Sequence, residues 1–187
     1  MAEIVTDALV IDKEPVGEAD SRIFLYTEKL GGVSAKVTSA RKITSKLSPH
    51  LEPLTFATVR LIEKGNGDNG FQLGDALQFA RSDGWREQPD KLREALNLVT
   101  VFKEKGFQGD PDPNLWQLVK EIFTSPPAFP MGAYATRILG VLGFDPRFAR
   151  CDSCLRAEPA RFSFDDMAFY CATCANRQIS GKLVYNL

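Results

Sequence analysis

The 187-residue sequence predicts an α+β fold, and three observations carry that expectation. Short β-prone runs punctuated by Gly, Pro, Asn and Asp fill the first eighty or so residues. Apolar residues then recur at spacings of three and four, and all four cysteines fall near the carboxyl end as Cys151-x-x-Cys154 and Cys171-x-x-Cys174. The expected architecture is an amino-terminal five-stranded OB-fold barrel over residues 1–81, followed by an α-helical domain over residues 82–187 that carries a four-cysteine zinc finger at 151–174.

The β-prone runs are residues 4–11, 22–27, 32–38, 54–62 and 71–79, rich in Val, Ile, Leu, Thr and Phe. Residues 65–70, Gly-Asn-Gly-Asp-Asn-Gly, read as a hairpin loop. Five strands this short suit a small closed or partly open barrel, with an SH3-like barrel as the competitor to the OB-fold. From Pro89 the pattern turns helical, with Leu92, Ala95, Leu96, Val99 and Phe102 on one stripe that ends before Gly106. Pro113 opens a second helix with Leu115, Leu118, Val119, Ile122 and Phe123 inward, broken by Pro126-Pro127. A third covers residues 130–142, with Tyr134, Ile138, Leu139 and Leu142 as its stripe. All three stripes read as helix–helix core.

The cysteine spacing is that of a zinc site, in which two C-x-x-C knuckles bring two thiolates each to one tetrahedral ion. Four protein ligands leave no open position, so Cys151, Cys154, Cys171 and Cys174 are expected to staple a small fold and not to activate water. Residues 161–164 and 168–171 flank the turn material Asp165-Asp166-Met167, which suggests a hairpin with one knuckle at each end. The alternative is two disulfides in an exported protein. Against it, the amino terminus has no basic n-region or apolar h-region, and no run approaches the eighteen or so apolar residues of a membrane span. The expected setting is therefore soluble, cytoplasmic and without a membrane partner.

Hydrophobic residues at 44% and charged residues at 25% describe an ordinary globular chain, and a net charge of −1 gives no global attraction to nucleic acid. Charge is nevertheless uneven. Between Val33 and Lys64 stand Lys36, Arg41, Lys42, Lys46, Arg60 and Lys64 against only Glu52 and Glu63. Residues 39–48 are also rich in Ser and Thr, as in a basic loop with phosphate-binding donors. On strands, Phe56 and Arg60 share a face, and Arg22, Phe24 and Tyr26 alternate onto one side. Cations beside aromatic rings suit single-stranded nucleic acid, phosphates being held by charge and bases stacked on rings. The plain alternative is that the rings enter the core and the charges are merely solvated.

Enzymatic readings have little material. His50 is the only histidine, so a nucleophile has one possible base, and all four cysteines are better used on metal. His50-Leu51-Glu52 matches the H-x-E of zinc deaminases, but Arg150 and not proline precedes Cys151, and the second C-x-x-C would have no role. No P-loop or G-x-G-x-x-G is present. Arg137 and Arg150, beside apolar helix stripes, suit an acidic, aromatic-tipped tail of a partner protein, or else are ordinary surface residues. A second class of function follows from them, a protein-docking adaptor whose barrel is only a scaffold.

Several stretches in order resemble the RecO family of bacterial DNA repair and recombination mediators. Residues 17–22, Gly-Glu-Ala-Asp-Ser-Arg, followed by Leu25, Thr27 and Gly31, resemble the family's G-E-x-D segment; residues 36–47 resemble its basic loop; and Leu51-Glu52-Pro53-Leu54 resembles its L-x-P segment. Residues 137–146, Arg-Ile-Leu-Gly-Val-Leu-Gly-Phe-Asp-Pro, resemble the segment that precedes its first cysteine pair. The resemblance implies an OB-fold joined to a helical domain with a zinc finger, and a non-enzymatic activity. That activity comprises binding single- and double-stranded DNA, annealing complementary strands and, with RecR, helping RecA onto DNA coated by single-stranded-DNA-binding protein (SSB), whose acidic tail is a further implied partner. On this resemblance Lys36, Arg41, Lys42 and Lys46 hold phosphates, and the cysteines hold zinc. Family members usually continue past the zinc module with more helices, whereas this chain ends at Leu187. Many are also basic, so DNA affinity here is expected to be modest and steeply salt-dependent.

Overall fold

The computed structural model describes residues 2–41, 47–63, 70–104, 111–155, 158–178 and 184–186. Its first half is a barrel of β1 (Glu3–Val16), β2 (Asp20–Thr27), β3 (Gly31–Val37), β4 (Thr55–Glu63) and β5 (Phe71–Arg81), closed in the order β1-β2-β3-β5-β4. All pairs are antiparallel except β3 with β5, which meet in parallel only at Ala35–Phe71 and Lys36–Gln72. Period-two alternation sorts each strand: Val10, Ile23, Leu25, Val37, Val59 and Leu61 fill the interior as one cluster. β1 and β5 run longer than their apolar stretches suggest, because residues 12–16 and 80–81 continue the ladder with partly or fully exposed side chains.

The second half begins with the short helix α1 (Asp83–Arg86) and continues with α2 (Pro89–Glu104), α3 (Pro113–Thr124) and α4 (Met131–Val141). Asp112 caps α3, its Oδ1 accepting from the Asn114 and Leu115 amides at 2.9 and 3.1 Å, with Pro113 in the first turn. α1 has no periodic signal. It exists to bury Trp85, whose Nε1 donates to the carbonyls of Ile122 (3.2 Å) and Ser125 (2.9 Å) while its ring packs on Phe123 and Tyr134. Gly84 permits this approach, since a Cβ there would stand 2.9 Å from Pro126 Cα.

Barrel and helices share a second core on the barrel's outer surface. Tyr26, Leu9 and Phe56 are cross-strand neighbours in one row, all fully buried. Phe102 and Trp116 cover them, with ring centroids 5.1 Å (Tyr26–Phe102), 6.3 Å (Tyr26–Trp116) and 6.0 Å (Phe56–Trp116) apart. Burial of each such ring is worth roughly 1.5–3 kcal/mol. At the edge of this seam Lys103 of α2 reaches Asp12 (2.6 Å) and Glu14 and lies 4.2 Å over the Phe24 ring. Burial opposes its charge, but the hydrogen bonds it donates to the two carboxylates prevail and raise its pKa.

The carboxyl module is a small sheet in the order β7-β6-β8, from β6 (Arg161–Ser163), β7 (Ala168–Tyr170) and β8 (Val184–Asn186), with α5 (Ala172–Gln178) after β7. Phe162 ties the hairpin to the helical core, packing on Phe144, Phe164 and Phe169 at 5.4, 4.9 and 4.8 Å. The α+β architecture, the five-stranded barrel and the hairpin between the cysteine pairs agree with the sequence. The expected hairpin loop at 65–70 falls almost wholly outside the described residues. No helix among the described residues is long and apolar enough to cross a membrane.

Candidate metal centre and nucleic-acid interface

The two cysteine pairs converge because the β6–β7 hairpin folds the chain back on itself. The Asp152 amide donates to the Phe169 carbonyl at 2.8 Å, fixing the first knuckle against β7, while Cys171 and Cys174 sit at the start of α5. All four sulfurs lie within 4.8 Å of one another, and Cys154 and Cys171 Sγ are 3.8 Å apart. A tetrahedron with zinc–sulfur bonds of about 2.3 Å has edges of about 3.8 Å, so the geometry suits one such ion and no disulfide, whose sulfurs would stand about 2.05 Å apart. Burial pushes the Cys151 thiol up, but amide donors from Cys171, Cys154 and Ser153 outweigh it and bring the thiol down to about 6. Cys174 goes the other way: the Ser153 hydroxyl favours its thiolate, yet crowding by the other three sulfurs drives it up to about 11. Four thiolates this close need a cation between them. The local apolar support is slight, only Cys151, Tyr170 and Ala175 being buried in this cluster, so a bound ion would carry much of the module's cohesion.

The basic residues proposed for nucleic acid fall into three groups. Arg22 and Lys36 are directly opposite on β2 and β3, on the outer face at the end of the barrel away from the helical seam. Arg41 joins them: its amide donates to the Ala19 carbonyl at 3.0 Å and its Nη1 to the Gly17 carbonyl at 3.1 Å, in the β1–β2 turn. Lys36 pairs with Asp20 at 2.7 Å, and the Arg22 side chain is exposed. Arg60 stands apart on β4, 3.3 Å from Glu3, with its guanidinium packed over Gly74. Lys42 and Lys46 lie outside the described residues.

The aromatic members need correction. Phe56 does share the outer face with Arg60, as alternation required, but the helical domain closes over it, leaving it fully buried between Phe79 and Trp116. Tyr26 is enclosed in the same seam and Phe24 lies beneath Lys103. No base can stack on Phe56 or Tyr26 in this conformation. Burial also pushes the Tyr26 hydroxyl pKa up, with the charge of Asp112 adding to it. Arg137, expected to receive an acidic tail, is already paired with Glu121 at 2.9 Å, two helices having brought together what lay 16 residues apart. Arg150 is exposed just before Cys151, two residues after Phe148, which at 84% exposed is the most open large apolar side chain among the described residues and lies under the Arg147 guanidinium at 5.7 Å. His50 and Glu52 lie beside the barrel, remote in sequence and element from the cysteines, so the H-x-E match has no metal partner among the described residues.

Residues 1–73 match the family model described as Recombination protein O N terminal. The chain is 27% identical to the DNA repair protein RecO of Dehalococcoides mccartyi across 97% of its own length and 74% of the relative's. It is 28% identical to that of Nocardioides sp., covering 90% of the chain and 72% of the relative. Against that of Myxococcus xanthus it is also 28% identical, covering 85% and 66%. The barrel thus matches the amino-terminal model, and over nearly its whole length the sequence is similar to proteins of one name, DNA repair protein RecO.

Proposed function

We propose that this chain is a non-enzymatic, DNA-binding mediator of recombinational repair, which holds nucleic-acid phosphates at the open end of its barrel. One observation carries the proposal: Arg22 and Lys36 stand directly opposite each other on one exposed face. Like charges across a ladder destabilise a sheet unless anions share them; here Asp20 pairs with Lys36, and Glu14, directly opposite Arg22 on β1, is itself engaged by Lys103. Arg41 adds a third cation at the same end, and Lys42 follows it in sequence. Since Phe56 and Tyr26 are enclosed, binding here is by charge and hydrogen bonds to the backbone, which favours neither strand state nor base sequence. That tolerance fits a protein that binds single strands and duplex and anneals complementary strands.

The further steps, loading RecA with RecR onto DNA coated by SSB, are what the sequence resemblance implies; the relatives' shared name, DNA repair protein RecO, supports the repair role alone. The four cysteines would hold one zinc ion, whose part is structural. A docking surface for a partner's acidic tail is favoured by the exposed Phe148 with Arg147 over its ring and Arg150 exposed two residues on, and Arg150→Glu should weaken a labelled acidic peptide in titration if that surface is used. The nucleic-acid site is tested by fluorescence anisotropy of a labelled oligonucleotide, single-stranded and duplex, over a salt series. Arg22→Glu with Lys42→Glu should lower affinity about tenfold or more and flatten the plot of log K against log salt by about two units of slope. Undiminished affinity in the double variant would remove the site from this end of the barrel.

A further inference from the structure

We infer that Asp20 is a positioning residue for Lys36, Ser39 and Arg41, and that the β1–β2 turn is the cradle that fixes them. This rests on the nucleic-acid reading above and adds to it a residue of the opposite charge. Asp20 is the first residue of β2, and its two carboxylate oxygens are used on different partners. Oδ1 accepts the Ser39 amide at 2.9 Å, and Oδ2 holds the Lys36 ammonium at 2.7 Å. Ser39 has φ 55°, a left-handed conformation that is strained for a non-glycine residue unless its surroundings impose it. The carboxylate is one such constraint. The neighbouring turn supplies others, Arg41 being tied through its amide to Ala19 and through its guanidinium to Gly17, whose own φ of 61° turns the chain. Ala40, fully buried between these two anchors, closes the cradle from the barrel side. Lys36, Ser39 and Arg41 are thereby fixed relative to Arg22 before any phosphate arrives, which lowers the ordering cost of binding.

The inference has a sign that separates it from simple electrostatics. Removing the carboxylate that pairs with Lys36 makes the surface more positive, so charge alone predicts tighter binding for any neutral replacement. Loss of positioning predicts the opposite for Asp20→Ala, while Asp20→Asn keeps an oxygen able to accept from Ser39. Both variants are compared with the unaltered chain at matched melting temperature by oligonucleotide anisotropy and by amide hydrogen exchange at Ser39. The expected result for Asp20→Ala is a fall in affinity of about three- to tenfold with faster exchange at Ser39. Asp20→Asn should bind at least as tightly as the unaltered chain and keep its exchange rate at Ser39. Tighter or unchanged binding by Asp20→Ala, or equal loss in both variants, would overturn the inference. If the unaltered chain binds no oligonucleotide, the preceding proposal fails by itself, and Ser39 exchange unchanged in Asp20→Ala would overturn the positioning role independently.

Discussion

Strand β2 presents two different surfaces along a single face. At one end Arg22 is open to solvent opposite Lys36; two residues on, Phe24 is half-buried under Lys103; two more, and Tyr26 is sealed beneath Phe102 and Trp116. The same alternation aims all three side chains outward, and only the docking of the helices makes one end an accessible basic surface and the other a second core. A barrel's outer face is therefore not a binding face by default. Its accessible part is what the rest of the chain leaves uncovered, and along β2 that part is cationic and not aromatic.

The most severe break in this contrast should come from Trp116→Ala. Trp116 touches both Tyr26 and Phe56, so its loss leaves a cavity in the seam and should cost about 3–5 kcal/mol in urea unfolding, with Tyr26 becoming accessible. Cys171→Ser should act locally by comparison. The metal content should fall from about one ion per chain to near zero, and amide exchange should accelerate over β6, β7 and α5, while β1 to β5 keep their protection. A chain with no metal and unchanged exchange in the variant would remove the structural role. Asp112→Ala, which strips the cap from α3, should cost about 1 kcal/mol, read as a lowered urea midpoint with unchanged slope. Smallest is Arg137→Ala: its pair with Glu121 is largely solvated, and stability should move by less than about 0.5 kcal/mol.

What the sequence disclosed and what it hid divide along a physical line. Periodicity is local, and it placed the five barrel strands, α2 to α4 and the shared face of Phe56 and Arg60. The C-x2-C spacing is equally local, and the four sulfurs meet as it implied. Coverage is not local. Nothing around Phe56 in the chain announces Trp116, sixty residues on, and so a ring read as a stacking platform proved to be core. Ion pairs hide for the same reason, Lys36 with Asp20, Arg60 with Glu3 and Arg137 with Glu121 all depending on strand register or helix packing. The helix α1 had too few residues for a period, and its only visible sign was a lone tryptophan after Ser82-Asp83-Gly84.

A single titration examines the contrast along β2 most directly: a labelled single-stranded oligonucleotide followed by label anisotropy and by tryptophan emission in the same sample. Trp85 and Trp116, the chain's two tryptophans, are both buried, and Trp116 lies in the seam. Binding at the open basic end should raise anisotropy with a steep loss in salt, leave tryptophan emission unchanged, and weaken in the Arg22→Glu, Lys42→Glu variant. Tryptophan quenching that tracks the anisotropy, with affinity intact in that variant, would place the bases in the aromatic seam and contradict the division of the barrel face drawn here.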